Sequence, residues 1–129
     1  MQTKPKILVA EDDADVRNLV RVQLDMAGYD THIAHNGREA IERIARLQPA
    51  AVILDINMPE LDGFGVLRVL KKDASTHAIP VIVLTARHDM DDVKLAISLG
   101  AKDYLTKPFN EGQLMARVAR ALRPAKPAG

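Results

Sequence analysis

The chain has 129 residues, 47% of them apolar and 27% charged, with a formal net charge of +1. That is the size and composition of one globular domain with a single good core, and the near-neutral charge gives no global field toward nucleic acid or a membrane surface. The absence of cysteine excludes disulfides, thiolate catalysis and thiolate metal sites.

The opening "MQTKPKILVA" has neither a long apolar core nor a small-residue cleavage site, so it does not read as a signal peptide. No apolar run approaches the ~20 residues of a membrane-spanning helix, and the cytoplasm is the expected location. The first strand is expected at "KILVA" (6–10). Val16, Leu19, Val20, Leu24 and Ala27 then recur with helical period as one apolar face, stopped by Gly28. A second strand, "THIA" (31–34), leads to a helix carrying Ala40, Ile41, Ile44 and Leu47. Asn36 and Glu39 are spaced as its capping box, with Pro49 beyond its end. Strand three is "AVILD" (51–55), followed by a helix marked by Phe64, Leu67 and Leu70. Strand four is "PVIVLT" (80–85), followed by a short helix with Val93, Ala96 and Ile97 that closes at Gly100. Strand five is "DYLT" (103–106), and Leu114, Val118, Ala121 and Leu122 mark the last helix, with Asn110 and Gln113 as a second capping box.

Runs one, three and four are continuously apolar, which suits strands covered on both faces; runs two and five are shorter and more polar, which suits edges. Strict βα alternation argues for an α/β domain, one parallel sheet with helices on both faces. Ligands of such sheets bind beyond the carboxyl ends of the strands. There stand Glu11, Asp12 and Asp13 after the first strand, Asp55 at the end of the third, Thr85 at the end of the fourth and Lys107-Pro108 after the fifth. Crowded carboxylates repel unless a cation compensates, and an oxygen-only donor set selects Mg²⁺, or Mn²⁺ in its place, over zinc. Such a site suits phosphoryl chemistry, with one carboxylate as the nucleophile and an aspartyl phosphate as the product.

The stretches "ILVAEDD" (7–13), "LDINMPELDG" (54–63), "VIVLTA" (81–86) and "GAKDYLTKPF" (100–109) stand in one order and spacing on this fivefold pattern. Together they resemble the receiver domain of bacterial two-component response regulators over nearly the whole chain, residues 1–123. The stretch 124–129 reads as a frayed tail or the start of a linker, and the protein either acts alone or continues into a longer one near Pro124. The resemblance implies a three-layer (βα)5 doubly wound, flavodoxin-like fold with strand order 2-1-3-4-5. It implies Asp55 as the acceptor of a phosphoryl group from a sensor histidine kinase or a histidine phosphotransfer protein. Asp12 and Asp55 would bind Mg²⁺ directly with the backbone carbonyl of Asn57, and Glu11 would act through a bound water. Lys107 would contact the phosphoryl group, and the Lys107-Pro108 peptide would be cis. Thr85 and Tyr104 would form a switch pair altering the face of the fourth helix, fifth strand and fifth helix, where an unidentified downstream protein binds. Asn57, Met58 and Arg87 would tune the phosphoryl lifetime. On this reading the domain is a phosphorylation-dependent switch, not a turnover enzyme, and it makes no direct contact with nucleic acid or membrane. Lys94, Asp103 and Arg117 match charge positions of regulators that dimerise through that face, while Lys102 and Gln113 depart from the acids expected there. A monomer or a weak, phosphorylation-promoted homodimer is expected.

Simpler roles stand beside these. Asp13 suits capping of the first helix better than the acid pocket. His32 and His35 read as surface residues without metal-ligand spacing. Arg117, Arg120, Arg123 and Lys126 read as a solvated helix face, with Arg117 free to pair with an acid. A phosphatase of the haloacid-dehalogenase type would make Asp13 the nucleophile and leave Asp55 without a role. A pseudo-receiver would lack one of the acids, the Thr or the Lys, and all are present. A flavin carrier would need a phosphate-binding loop after the first strand, where acids stand instead.

Overall fold

The computed structural model describes residues 3–86 and 89–123. The expected tail, 124–129 with Lys126, and Arg87 lie outside the described residues. Five strands alternate with five helices: β1 (Lys6–Ala10), α1 (Ala14–Met26), β2 (Asp30–Ala34), α2 (Gly37–Leu47), β3 (Ala51–Asp55), α3 (Gly63–Lys72), β4 (Val81–Ala86), α4 (Met90–Ser98), β5 (Asp103–Lys107) and α5 (Glu111–Ala121). The strands form one sheet in the order β2-β1-β3-β4-β5, and every neighbouring pair is parallel.

Successive side chains of a strand point to opposite faces, so a central strand covered on both sides must be apolar throughout. Ile7 and Val9, with Ile53, Ile82 and Leu84, pack with Val20 and Leu24 of α1 and Leu114 and Val118 of α5. Leu8, Val52, Leu54, Val81 and Val83 face the other way, onto Ala40 and Ile44 of α2, Leu67 and Leu70 of α3 and Ala96 of α4. The result is three layers with the sheet in the middle. The edges are β2 and β5, the two strands whose sequences are more polar.

The local signals are kept with adjustments. Asp13 Oδ1 accepts from the N–H groups of Asp15 and Val16 at 2.9 and 3.2 Å, so it caps α1. Asn110 and Gln113 bond reciprocally at 2.8 and 2.9 Å, a complete capping box. The box expected at Asn36 is half made. Asn36 accepts from the Glu39 N–H at 2.9 Å, but the Glu39 carboxylate turns to His35 Nδ1, 3.2 Å away, and to Arg43 at 3.7 Å. Strand four starts at Val81 because Pro80 has no N–H; only its carbonyl joins the ladder, accepting from Val52 N–H at 3.0 Å.

The apolar face of α1 is narrower than its sequence suggests. Val20 and Leu24 are buried and Val16 partly so, but Leu19 is 50% exposed and Ala27 is exposed. Helix α1 lies beside the edge strand β2, so the sheet beneath it covers only a thin stripe. Ile97 of α4 is likewise left half-exposed, and Val93 and Ala96 do the packing. His35 is exposed as expected, whereas His32 is partly buried, its Nε2 lying 3.3 Å from Asp30. Among the described residues no helix is long and apolar enough to cross a membrane.

Candidate functional site

The period-2 alternation of β1 runs on past its last paired residue. Glu11, next in phase after Ile7 and Val9, is completely buried, and its N–H still donates to the Ala34 carbonyl of β2 at 3.2 Å. Asp12, out of phase, is exposed. Asp55 closes β3 opposite Leu84 and is 3% exposed. One carboxylate oxygen from each of Glu11, Asp12 and Asp55 lies within 4.8 Å of the others.

Lys107, the last residue of β5, reaches across the ends of β4 and β3 to these acids. Its Nζ is 3.0 and 3.3 Å from the two Glu11 oxygens and 3.3 Å from Asp55 Oδ1. The same Oδ1 accepts the backbone N–H of Asn57 at 3.2 Å. Two buried carboxylates thus share one ammonium, and the charges are unbalanced. Burial, reinforced by the hydrogen bond and charge of Asp55 and partly offset by Lys107, pushes the Glu11 carboxyl up to about 8. Burial alone would lower the Lys107 ammonium, but contact with Glu11 and Asp55 outweighs it and holds the group above its usual range.

The chain after β3 is shaped to hold this corner. Met58 is buried, Glu60 takes a positive φ of 69°, and the Gly63 N–H returns to the Ile56 carbonyl at 2.8 Å. A Cβ on Gly63 would stand 2.6 Å from the Asp55 carbonyl oxygen and 2.8 Å from Ile56 Cα, so the turn back onto the strand needs glycine there. Asp62 then caps α3, accepting from the Gly65 N–H at 2.9 Å.

Thr85 is buried near the end of β4 on the same sheet face as Val83, and Val83 is the register partner of Tyr104. Tyr104 is half-buried against the core on that face, two register positions along the ladder from Thr85. The Lys107–Pro108 peptide is cis. Asp55, Glu11, Asp12 and Lys107 therefore meet at one corner, Asn57 joins through its backbone, and Thr85 and Tyr104 lie along the neighbouring strands.

Lys94, Asp103 and Arg117 do not join this corner. Arg117 is half-buried, not part of a solvated face: its Nε donates to the Tyr104 carbonyl at 3.0 Å and lies 3.6 Å from Asp103. Arg120 also turns onto Asp103, at 2.8 Å. Lys94 is exposed on α4, where Met90, Leu95 and Ile97 also face outward. One residue beside the acids gave no sequence signal. Arg17 of α1 donates to the carbonyls of Glu11 and Asp12 at 3.0 and 3.4 Å. An arginine one turn into an amphipathic helix has too many possible partners for its spacing to reveal this one.

What the corner can do follows from its donors. Three carboxylates with no nitrogen or sulfur ligand could hold a hard divalent cation, and two buried acids facing one ammonium leave charge for such an ion to neutralise. An anionic oxygen group beside that ion would also meet Lys107.

Residues 7–119 match the family model described as response regulator receiver domain. The chain is 41% identical over 119 residues to the DNA-binding dual master transcriptional regulator RpaA of Synechocystis, covering 92% of this chain and 49% of that protein. It is 42% identical over 122 residues to the response regulator MprA of Mycobacterium avium, covering 95% of this chain and 53% of that one. The chain thus spans about half the length of the curated relatives it matches. Among solved structures, the chemotaxis response regulator CheY4 of Vibrio cholerae superposes with a TM-score of 0.88 at 29% identity, covering 93% of this chain and all (100%) of that one.

Proposed function

Because the chain belongs to the response regulator receiver domain family, we propose that it is a phosphorylation-dependent switch in which Asp55 accepts the phosphoryl group. The observation that carries this reading is the buried Asp55 carboxylate bonded to both the Lys107 ammonium and the Asn57 N–H, with Glu11 and Asp12 beside it. One Asp55 oxygen attacks the phosphorus of a phosphohistidine on the donor. The new O–P bond forms as the P–N bond breaks, and the imidazole leaves with the bonding pair and takes up a proton. Asp12 and Asp55, with the Asn57 carbonyl, would hold Mg²⁺ directly and Glu11 through water; such an ion supplies charge neutralisation for the phosphoryl oxygens. Lys107 binds one of those oxygens, and Thr85 donates to another. Water later hydrolyses the acyl phosphate and resets the domain, at a rate tuned by Asn57, Met58 and Arg87. The chain is consumed and regenerated by its own chemistry, so it is a switch and not a turnover enzyme.

The donor is a histidine kinase or a histidine phosphotransfer protein. An apolar groove lined by Val16, Leu19, Pro108 and Phe109 runs alongside Lys107, which suits a partner that must bring a phosphohistidine to Asp55. Output runs through the α4–β5–α5 face. Movement of Thr85 toward a bound phosphoryl group makes room for Tyr104 to turn inward and shifts the population of that face between two states. The exposed Met90, Leu95 and Ile97, with Lys94, Asp103 and Arg117, suit a downstream protein or a second, weakly held copy on it.

Incubation with a small acyl-phosphate donor and Mg²⁺ should phosphorylate the wild type and leave Asp55→Asn unmodified. Phosphorylation of that variant at the wild-type level would sink the assignment. Gel filtration of the same samples reports whether the phosphorylated form dimerises.

A further inference from the structure

The ladder of β1 ends at Ala10, and the next two residues carry two of the three clustered acids. Their side chains are held very differently. Glu11 is buried and gripped by Lys107. Asp12 is exposed, and among the described residues its carboxylate makes no hydrogen bond or ion pair. The backbone is therefore what fixes the Cα–Cβ direction of Asp12, with no partner holding its carboxylate. That backbone has one side-chain clamp among the hydrogen bonds described, the guanidinium of Arg17, whose single Nη1 bridges the carbonyls of Glu11 and Asp12 at 3.0 and 3.4 Å.

The clamp is costly to the arginine. Its Nε is buried and has no partner among the described residues, whereas an arginine held only by its stem would turn every donor to water. Arg17 is also anchored at its base, since its own N–H donates to the carbonyl of the cap residue Asp13 at 2.9 Å. The first turn of α1 and the acid junction thus form one closed unit.

We infer that Arg17 is a positioning residue that presets the Glu11–Asp12 junction so that Asp12 meets a divalent ion beside Asp55 directly and Glu11 meets it through water. The inference rests on the reading of Glu11, Asp12 and Asp55 as a metal site. Groups that orient metal ligands without touching the ion typically change affinity by about 10–100-fold when removed. Arg17 acts on peptide carbonyls one bond network away from the carboxylates, so the lower end of that range is expected.

The test compares wild type, Arg17→Met, Arg17→Lys and the exposed control Asn18→Ala. Free Mn²⁺ is titrated by electron paramagnetic resonance and Mg²⁺ by calorimetry, with metal-free melting recorded alongside. Arg17→Met should weaken binding of both ions roughly ten-fold. Arg17→Lys, whose Nζ stops one bond short of the position Nη1 takes between the two carbonyls, should fall in between, and Asn18→Ala should bind as the wild type does. The Mg²⁺ concentration for half-maximal phosphorylation should rise in Arg17→Met far more than the rate at saturating Mg²⁺ falls. A role confined to folding would lower the metal-free melting temperature without that split. Wild-type affinity in both Arg17 variants overturns the inference, as does an equal loss in Asn18→Ala. Should Arg17→Met fail to fold, wild-type affinity in Arg17→Lys alone overturns it. If the wild type itself binds neither ion, the metal reading fails first; if it binds and the Arg17 variants match it, only the role of Arg17 fails.

Discussion

Lys107→Met should make the metal-free protein less stable and, at the same time, make it bind Mg²⁺ more tightly. The ammonium is the only cation contacting Glu11 and Asp55 among the described residues, at 3.0 and 3.3 Å. At an effective dielectric of ~20 the separation from Asp55 corresponds to about 5 kcal/mol of attraction, and Glu11, its carboxyl pushed up to about 8, adds a similar attraction only once it ionises above that pH. The Lys107 side chain is 29% exposed, and its own desolvation is recovered on removal, so the net loss is much smaller. The measured cost of breaking such a pair, about 3 kcal/mol, is the better guide, equivalent to roughly 10 °C in a domain of this size. The same ammonium competes with a divalent ion for the same carboxylates, so its removal should tighten Mg²⁺ binding about ten-fold, or about 1.4 kcal/mol. The pH dependence has a defined sign. The folded-state pKa of Glu11 is raised from 4.5 to about 8, so its stabilising contribution is complete below 4.5 and is lost as pH rises through 8. Lys107 is one of the groups that lowers that value, so the decline in the variant should continue to higher pH. Melting curves in chelator from pH 5 to 9, repeated in Mg²⁺ and paired with calorimetry, read all three effects. Weaker or unchanged Mg²⁺ binding by Lys107→Met would refute the competition argument, and unchanged metal-free stability would refute the ion-pair geometry. Phosphorylation should nonetheless slow, because the ammonium no longer meets the phosphoryl oxygen.

Gly37→Ala should destabilise the fold by about 1–3 kcal/mol, measured by urea denaturation, because its Cβ would run into the Leu61 carbonyl where α2 abuts the loop after β3. A wild-type unfolding midpoint would show that this contact yields freely. Asp13→Ala should cost about 1 kcal/mol through loss of the two capping bonds at 2.9 and 3.2 Å, and Asp13→Asn should recover most of it. Loss of phosphorylation in a folded Asp13→Asn would instead put Asp13 in the chemistry.

The fold was legible because its constraints are local or periodic. Runs such as "AVILD" must be covered on both sides, and the polar "THIA" and "DYLT" cannot be, which separates the centre of the sheet from its edges. What was not legible depends on how much of a helix its neighbours cover. Leu19 has the right period to be buried, yet α1 lies toward the margin of the sheet and leaves it half in solvent beside the groove of Pro108 and Phe109. The half-made box at Asn36 has a similar cause. Glu39 could reach back to the cap or forward to His35 and Arg43, and the pattern N-x-x-E cannot say which.

The corner itself was visible as a set of residues but not as a set of contacts, and the reason lies in the strand period. An acid in phase with Ile7 and Val9 breaks a burial rule that the rest of the strand obeys, which marks Glu11 in the sequence. The same rule requires that something repay the burial of that charge. It cannot name the partner, because Lys107 lies 96 residues away and meets Glu11 only through the order of the strands. The parallel order β1-β3-β4-β5 brings four strand ends into one row, so carboxylates and an ammonium that would be unremarkable singly meet at one corner. Arg17 falls below this threshold: it breaks no pattern, satisfies only backbone, and becomes visible when the peptide it clamps is seen to carry two of the three acids.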